Sequence, residues 1–225
     1  MRNHILRLGA DERGGVLVET TVLLSVFMLL VLGSVDFLMA LYQWNAASKA
    51  VQIGASIASR SNPVASGFTS ITGMEGGASL GSAMPPGSYS TRICSGTANA
   101  NNTGSCTGGG TYVAAAMNVI VCGRKDTAVV NAAGKCQPAS CLTPESTYCA
   151  GMQDMFWRVK PENVNIQYGS TGLGYAGRPG GPVPTITVSL QNLPFQFYFL
   201  PFSSHQIQVS ATASGEDLSS SAPAP

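Results

Sequence analysis

The longest apolar stretch of the chain lies near its N-terminus, between Glu19 and Asp36. Its sixteen residues, 20–35, carry no charge, and only two threonines and two serines interrupt it. At 1.5 Å per residue, a helix over residues 15–41 would be about 40 Å long, more than the roughly 30 Å hydrocarbon core of a bilayer. The pattern predicts one membrane helix with a carboxylate near each end, where the charge reaches headgroups or water.

Beyond the membrane segment, small residues recur at steps of three and four along the same predicted helix. They are Ala47, Ala50, Val51, Gly54, Ala55 and Ala58. This spacing lines them up on one helical face, where they permit close backbone approach. Such a stripe packs either against neighbouring subunits in a helical bundle or against the protein's own globular domain. Because proline disfavours helical geometry in the preceding residue, Asn62-Pro63 should end the helix, which is predicted over 15–60.

Alternating apolar and polar residues predict strands in the second half of the chain. Residues 163–168, 186–190 and 207–211 alternate strictly, and the apolar run 112–122 is typical of a buried strand. By contrast, residues 61–110 are rich in Gly, Ser, Asn and Thr and predict mainly loops. Without the alternation of strands and helices that builds parallel sheets, this pattern favours an antiparallel sheet. The predicted fold class is α+β: a long membrane helix, then a β-rich, loop-rich domain over 61–215, with a disordered tail over 216–225.

A dense aromatic stretch occupies residues 195–202. Alternation would bury Phe195, Phe197 and Phe199 in a strand of ordinary length bounded by prolines, and this is the favoured interpretation. The alternative is an exposed patch that meets a membrane surface or a partner, because contiguous exposed apolar area usually signals interaction.

Composition narrows the class of protein. Of the 225 residues only 10% are charged, with 26 glycines, 13 prolines and a net charge of +1, which is unlike a typical cytosolic enzyme. Nucleic acid is not an expected partner, because its binding relies on a strongly basic balance.

The cysteines all follow the membrane segment, at Cys94, Cys106, Cys122, Cys136, Cys141 and Cys149. With only two histidines and no C-x-x-C pair, they favour disulfides over a metal site, and neither a metal nor a cofactor is predicted. Six cysteines allow fifteen connectivities, of which pairing between sequence neighbours, 94 with 106, 122 with 136 and 141 with 149, is the simplest.

Arginines set the expected orientation of the membrane helix. Arg2, Arg7 and Arg13 precede it, and no further Lys or Arg occurs until Lys49. By the positive-inside rule the N-terminus lies in the cytoplasm, and everything after about Tyr42 lies across the membrane. An ordinary cleaved secretory signal is the competing interpretation, although its apolar stretch is normally shorter and does not carry an early acid such as Glu19.

The junction before the helix carries a further pattern. Gly14 precedes Gly15-Val16-Leu17-Val18-Glu19, so that a glutamate stands at the fifth position after the glycine. This pattern resembles the prepilin peptidase site of type IV pilins and pseudopilins.

Over about residues 14–59 the resemblance narrows to the TadE-like family of tight-adherence pilus assembly proteins. The matching positions are Glu19, the apolar run 22–32, Gly33, Asp36-Phe37, Ala40, Tyr42, Ala46, Ala50, Gly54-Ala55 and Ala58. This chain departs from the family pattern at Thr20, Ser25, Gln52 and Ser56, and the last two replace arginines often found there.

The resemblance implies that a cytoplasmic leader, residues 1–14, is cleaved between Gly14 and Gly15. It also implies that Glu19 pairs with the new amino terminus, within the chain or on an adjacent subunit. The implied partners are the membrane, a prepilin peptidase, other pilins or pseudopilins, and the pilus assembly platform. The implied place is the bacterial inner membrane, with the β-rich domain periplasmic and entry into a surface pilus left open.

The leading hypothesis for function is therefore structural rather than enzymatic: a minor pilin or pseudopilin that takes part in pilus assembly. The alternative is a secreted or anchored disulfide-rich binding module with an ordinary signal. A third hypothesis, a hydrolase, would use Ser79 in the G-x-S-x-G motif of residues 77–81 together with His205, but the motif lies in a Gly- and Ser-rich stretch and not at a strand-to-helix turn.

Overall fold

The computed structural model describes residues 12–97, 103–123, 129–131, 133–137, 150–199, 205–215 and 218. The chain divides into two compact units, one formed by residues 1–42 with 196–204 and the other by residues 43–195 with 205–225. The fold class is α+β, as predicted: a long apolar N-terminal helix and an antiparallel sheet domain with two disulfides.

Helix α1 spans Glu12–Ala58 and contains 47 residues. It ends in a tight turn, in which the Ser59 N–H donates to the Ala55 carbonyl and the Arg60 N–H donates to the Ile57 carbonyl. Pro63 follows within a few residues, and the prediction of a long apolar N-terminal helix is confirmed.

The second unit contains a five-stranded antiparallel sheet in the order β2-β1-β5-β6-β7. Its strands are β1 Arg92–Gly96, β2 Gly104–Thr107, β5 Val164–Gly169, β6 Thr185–Leu190 and β7 Ser210–Ser214. A separate pair joins β3 Val129–Val130 to β4 Cys136–Gln137. Short helical pieces complete the described secondary structure: α2 Ala114–Cys122, α3 Met152–Met155 and the 3-10 turns Met74–Gly76 and Pro161–Asn163.

The two central strands confirm the alternation in the sequence. Val164, Ile166 and Tyr168 of β5 are buried, as are Ile186 and Val188 of β6, while the residues between them are more exposed. Ile166 lies opposite Val188 in the register, so the apolar positions of both strands line one face of the sheet.

The prediction of a buried strand over 112–122 is wrong, because residues 114–122 form helix α2. Three alanines begin this segment, and alanine has the highest helix propensity. Its buried residues Met117, Ile120 and Val121 fall at helical spacing, so a helix covers the core with them where a strand would turn every second one away.

Three other expectations need correction. The region 61–110 consists mainly of loops, as predicted, but it also contains strands β1 and β2. The final strand begins at Ser210 rather than Ile207, whose N–H donates to the Leu193 carbonyl outside the ladder. Residues 195–199 form no strand, and Phe199 is exposed, although Phe195 packs partly against the core.

The core of the second unit joins the buried face of the sheet to α2 and to the last four turns of α1. Tyr168 lies at its centre, fully buried beside Phe68 at 5.3 Å between ring centroids. Its hydroxyl oxygen accepts the Val64 N–H at 2.9 Å, which fixes the segment that follows α1. The predicted tail 216–225 lies outside the described residues except for Leu218, which is buried in this core.

Candidate functional site: the apolar helix and its carboxylates

Residues 15–41 of α1 expose large apolar side chains in almost every direction. Most of them are half exposed or more, among them Leu17, Leu23, Phe27, Leu29, Leu30, Phe37 and Leu38. The helix is long and apolar enough to cross a membrane by length and composition. Soluble proteins rarely expose a contiguous apolar surface of this extent, and an apolar helix that a protein core does not bury is typical of a lipid environment.

The hydroxyl groups within this segment are all bonded to the helix itself. The Oγ1 atoms of Thr20 and Thr21 donate to carbonyls three residues earlier, at 3.0 and 2.8 Å. Ser25 and Ser34 donate in the same way at 2.8 and 2.7 Å. Because no hydroxyl needs water as a partner, the four polar residues are compatible with a hydrocarbon environment.

Glu19 and the glycine pair lie in the first turns of α1. Residues 12–14 are already helical, so Gly14 and Gly15 belong to the helix, while residues 1–11 lie outside the described part of the chain. A Cβ atom at Gly15 would meet no described residue within 4 Å, and Glu19 is exposed one turn later. Among the residues that the structure describes, nothing therefore covers the helix at Gly15.

Asp36 differs from Glu19, because it is only 1% exposed. Its Oδ1 accepts the backbone N–H of Tyr198 and its Oδ2 accepts that of Phe199, both at 2.9 Å. The sequence places Asp36 at the end of the apolar run but does not reveal this partner, which lies more than 160 residues away.

The stripe of small residues is buried in the second unit. Ala47, Ala50, Val51, Ala55 and Ala58 are all members of its core. Gly54 lies so close to Met152 that a Cβ atom there would be 2.6 Å from the sulfur. The stripe thus packs against the chain's own domain, and it is not open to neighbouring subunits as the other interpretation required.

Two disulfides lie in the sheet domain. Cys94–Cys106 joins opposite residues of β1 and β2, and Cys122–Cys136 joins α2 to β4. These are two of the three predicted pairings. The third, Cys141 with Cys149, lies outside the described residues.

The G-x-S-x-G motif of residues 77–81 lies in a loop that pairs with the loop of the glycine-rich stretch 172–177, which has the pattern G-x-G-x-x-G. The Gly81 N–H donates to the Ala176 carbonyl, and the Ala176 N–H donates to the Ser82 carbonyl, both at 2.9 Å. A Cβ atom at Gly177 would lie 2.1 Å from Leu80 Cδ1. Close loop packing therefore accounts for Gly177, whereas Gly77 and Gly81 have positive φ angles of 82° and 79° that favour glycine.

The helix that carries Glu19 and Asp36 is also the part of the chain that matches a known protein family. Residues 14–56 match the family of TadE-like proteins. The TadE-like segment covers the membrane-length helix and most of its buried stripe, and the sheet domain lies beyond it. No curated protein and no solved structure matches the chain. The TadE-like match and the apolar helix support a membrane-anchored role associated with the tight-adherence pilus, in a family that is structural.

Proposed function

We propose that this protein is a TadE-like minor pilin or pseudopilin that takes part in the assembly of a tight-adherence type IV pilus. The observation that carries the proposal is the exposed apolar surface of residues 15–41 within the TadE-like segment. Its role is structural: the helix holds the subunit in the inner membrane and offers Glu19 to the assembly machinery.

The positive-inside rule supports a cytoplasmic N-terminus, because Arg2, Arg7 and Arg13 precede the helix. The sheet domain then lies in the periplasm. The two disulfides agree with this orientation, since disulfides persist in the periplasm and are rare in the cytoplasm.

Processing would take place between Gly14 and Gly15. Each glycine costs about 1 kcal/mol of helix stability relative to alanine, so this turn is the easiest part of α1 to open for a prepilin peptidase. No atom of the described part of the chain would lie within 4 Å of a Gly15 Cβ, which leaves room for the enzyme to reach the peptide bond.

Cleavage would place a positively charged amine at Gly15, four residues before Glu19. A carboxylate deep in a membrane segment costs about 2.5 kcal/mol or more by insertion scales, and an adjacent cation offsets that cost. If the cation belongs to a neighbouring subunit, the pairing also sets the axial register of helices as they are added.

The test combines an intact mass with a substitution. The mature protein extracted from membranes should begin at Gly15, and Gly14→Leu should block cleavage. Glu19→Gln keeps the shape of the side chain and removes its charge, so the variant should be processed and inserted normally but should fail to crosslink to partner pilins or support surface pili.

Glu12→Gln is the matched control, because it removes a carboxylate that leaves with the leader, and pili should form normally. A Glu19→Gln strain with normal pili and crosslinks would contradict the pairing. Unprocessed Glu19→Gln protein would instead assign Glu19 to recognition by the peptidase. A mature terminus near Ala47 or Val51 would favour the disulfide-rich binding module with an ordinary secretory signal.

A further inference from the structure

The aromatic segment 196–199 lies in the same compact unit as the membrane-length part of α1. Asp36 binds this segment through two backbone N–H groups, while the side chains of Tyr198 and Phe199 are 59% and 53% exposed. We propose that segment 196–199 is a lipid-contacting patch at the periplasmic boundary of the bilayer, held there by Asp36. The proposal rests on the membrane anchoring described under the proposed function.

The length of the helix gives the depth of the patch. From Gly15 to Asp36 there are 21 steps, which at 1.5 Å each span about 31 Å, close to the roughly 30 Å hydrocarbon core. With Gly15 at the cytoplasmic boundary, Asp36 therefore lies at the opposite one. The Tyr198 and Phe199 nitrogens are 2.9 Å from its carboxylate oxygens, so this part of the backbone lies at the same level.

Hydrogen bonding explains why a carboxylate is needed at this position. Tyr198 and Phe199 belong to no strand, and both of their N–H groups donate to Asp36; an N–H left without an acceptor near hydrocarbon would cost several kcal/mol. The Asp36 carboxylate satisfies both groups with charge-assisted bonds, which are about twice as strong as neutral ones. The same two bonds compensate Asp36 for the loss of water around its charge.

The exposed side chains indicate lipid as the occupant of this surface. Phe37 and Leu38, the next residues of α1, are also largely exposed, so the patch continues the apolar surface of the membrane helix. Tyrosine has an apolar ring with a polar tip and is enriched where the hydrocarbon meets the headgroups. The patch thus has the composition and the depth of an interfacial anchor.

The experiment uses the full chain in phosphatidylethanolamine and phosphatidylglycerol vesicles. Trp44→Phe and Trp157→Phe remove the native tryptophans. Phe retains an aromatic ring at position 44, where the indole stacks on Phe195, and position 157 is exposed. A single tryptophan is then introduced as Phe199→Trp or, at the middle of the membrane segment, as Leu29→Trp. Lipids brominated near the headgroup or near the chain end report the depth of each tryptophan.

The expected result is that headgroup-proximal bromine quenches Phe199→Trp more strongly, whereas chain-end bromine quenches Leu29→Trp more strongly. Quenching at position 29 without quenching at position 199 would overturn the proposal and leave the membrane anchor standing, because water or a protein partner would then cover the patch. If neither tryptophan is quenched, the anchor and the patch are both wrong.

Asp36→Ala tests the holding role, since it removes both acceptors. Quenching at position 199 should fall to a small fraction of its original value, while quenching at position 29 and the number of disulfides stay unchanged. Asp36→Asn, which keeps one acceptor oxygen and loses the charge, should give an intermediate value. Full quenching at position 199 in both variants would show that Asp36 does not hold the patch.

Discussion

Helix α1 has two parts with opposite surfaces. Residues 15–41 carry large apolar side chains that remain exposed, whereas residues 47–58 carry small side chains that are buried in the domain core. The backbone conformation is the same in both parts, so the difference lies in what each part packs against. Large residues in all directions suit lipid, which needs no complementary surface, while a one-sided stripe of small residues suits a protein surface that must approach closely.

The difference between the two parts shows what a stripe of small residues can be used to infer. The family match over residues 14–56 includes residues of both parts of the helix. In the second part, the small residues pack in the core of this chain's own domain. A small-residue stripe in a pilin-like helix is therefore not by itself evidence for contact between subunits. In this chain the core of the second unit buries Ala47, Ala50, Val51, Ala55 and Ala58 of the stripe.

The largest expected effect is that of a charge in the middle of the exposed part, residues 15–41, on the free energy of membrane insertion. Leu29→Arg places a cation near the centre of the apolar segment, where arginine costs about 2.5–3.5 kcal/mol on insertion scales. Because leucine itself favours insertion by about 0.3–0.6 kcal/mol, we expect the apparent free energy of insertion to become less favourable by about 3–4 kcal/mol in a glycosylation-based assay.

Leu29→Ala is the matched control and should change insertion only slightly, because alanine carries no charge. The urea midpoint of the sheet domain should be the same in both variants, since Leu29 belongs to the other unit. An unchanged insertion free energy for Leu29→Arg would show that residues 15–41 do not lie in hydrocarbon.

In the buried part, residues 47–58, a larger side chain should lower the stability of the domain. In Gly54→Leu the new Cβ would lie 2.6 Å from the Met152 sulfur and 2.9 Å from its Cγ, so the core must shift to accommodate it. Overpacking of this kind costs about 1–3 kcal/mol, and the better helix propensity of leucine returns less than about 1 kcal/mol. We expect a lower urea midpoint for the full chain in detergent, followed by near-ultraviolet circular dichroism.

Gln52→Leu adds an apolar side chain at an exposed position of the same helix and should leave the midpoint nearly unchanged. Equal midpoints for wild type, Gln52→Leu and Gly54→Leu would mean that the stripe is not packed as the structure has it. Membrane insertion should be normal in both variants.

The sequence predicts correctly those helices and strands that carry a strong hydropathy pattern of their own. It misses elements that depend on contacts with distant parts of the chain. The apolar run of α1 and the alternation in β5 and β6 are strong local signals, and both are confirmed. Strands β1 and β2 were missed because they contain Arg, Ser, Gly and Cys, residues that do not alternate by hydropathy. The Cys94–Cys106 disulfide and the pairing of β1 with β5 hold them in the sheet.

The candidate site was predictable along the helix but not across the chain. Spacing located Glu19 and Asp36 near the ends of the apolar segment, and the resemblance to TadE-like proteins assigned a role only to Glu19. Nothing local indicates that Asp36 binds the backbone of Tyr198 and Phe199, because backbone donors carry no sequence signature. Without knowledge of this contact, the alternation of aromatic residues in 195–202 predicts a core strand.

The smallest expected effect concerns Tyr89 in the sheet domain. Burial raises the pKa of Tyr89 from 10.0 to about 12. The folded protein therefore keeps this proton at a pH where the unfolded chain has lost it. The stability that the neutral phenol contributes is present below about pH 10 and is lost as the pH rises through about 12.

Tyr89→Phe keeps the ring that packs edge-on against Phe68 but removes the hydroxyl, which donates to the Gly169 carbonyl at 3.1 Å. At neutral pH the variant should lose about 0.5–1.5 kcal/mol. Between pH 10 and 12 its stability should fall less steeply than that of the wild type, although it should still fall because burial also raises the pKa values of Tyr112 and Tyr168. Urea midpoints measured across this pH range test both points, and parallel slopes for the two proteins would show that Tyr89 does not retain its proton in the folded domain.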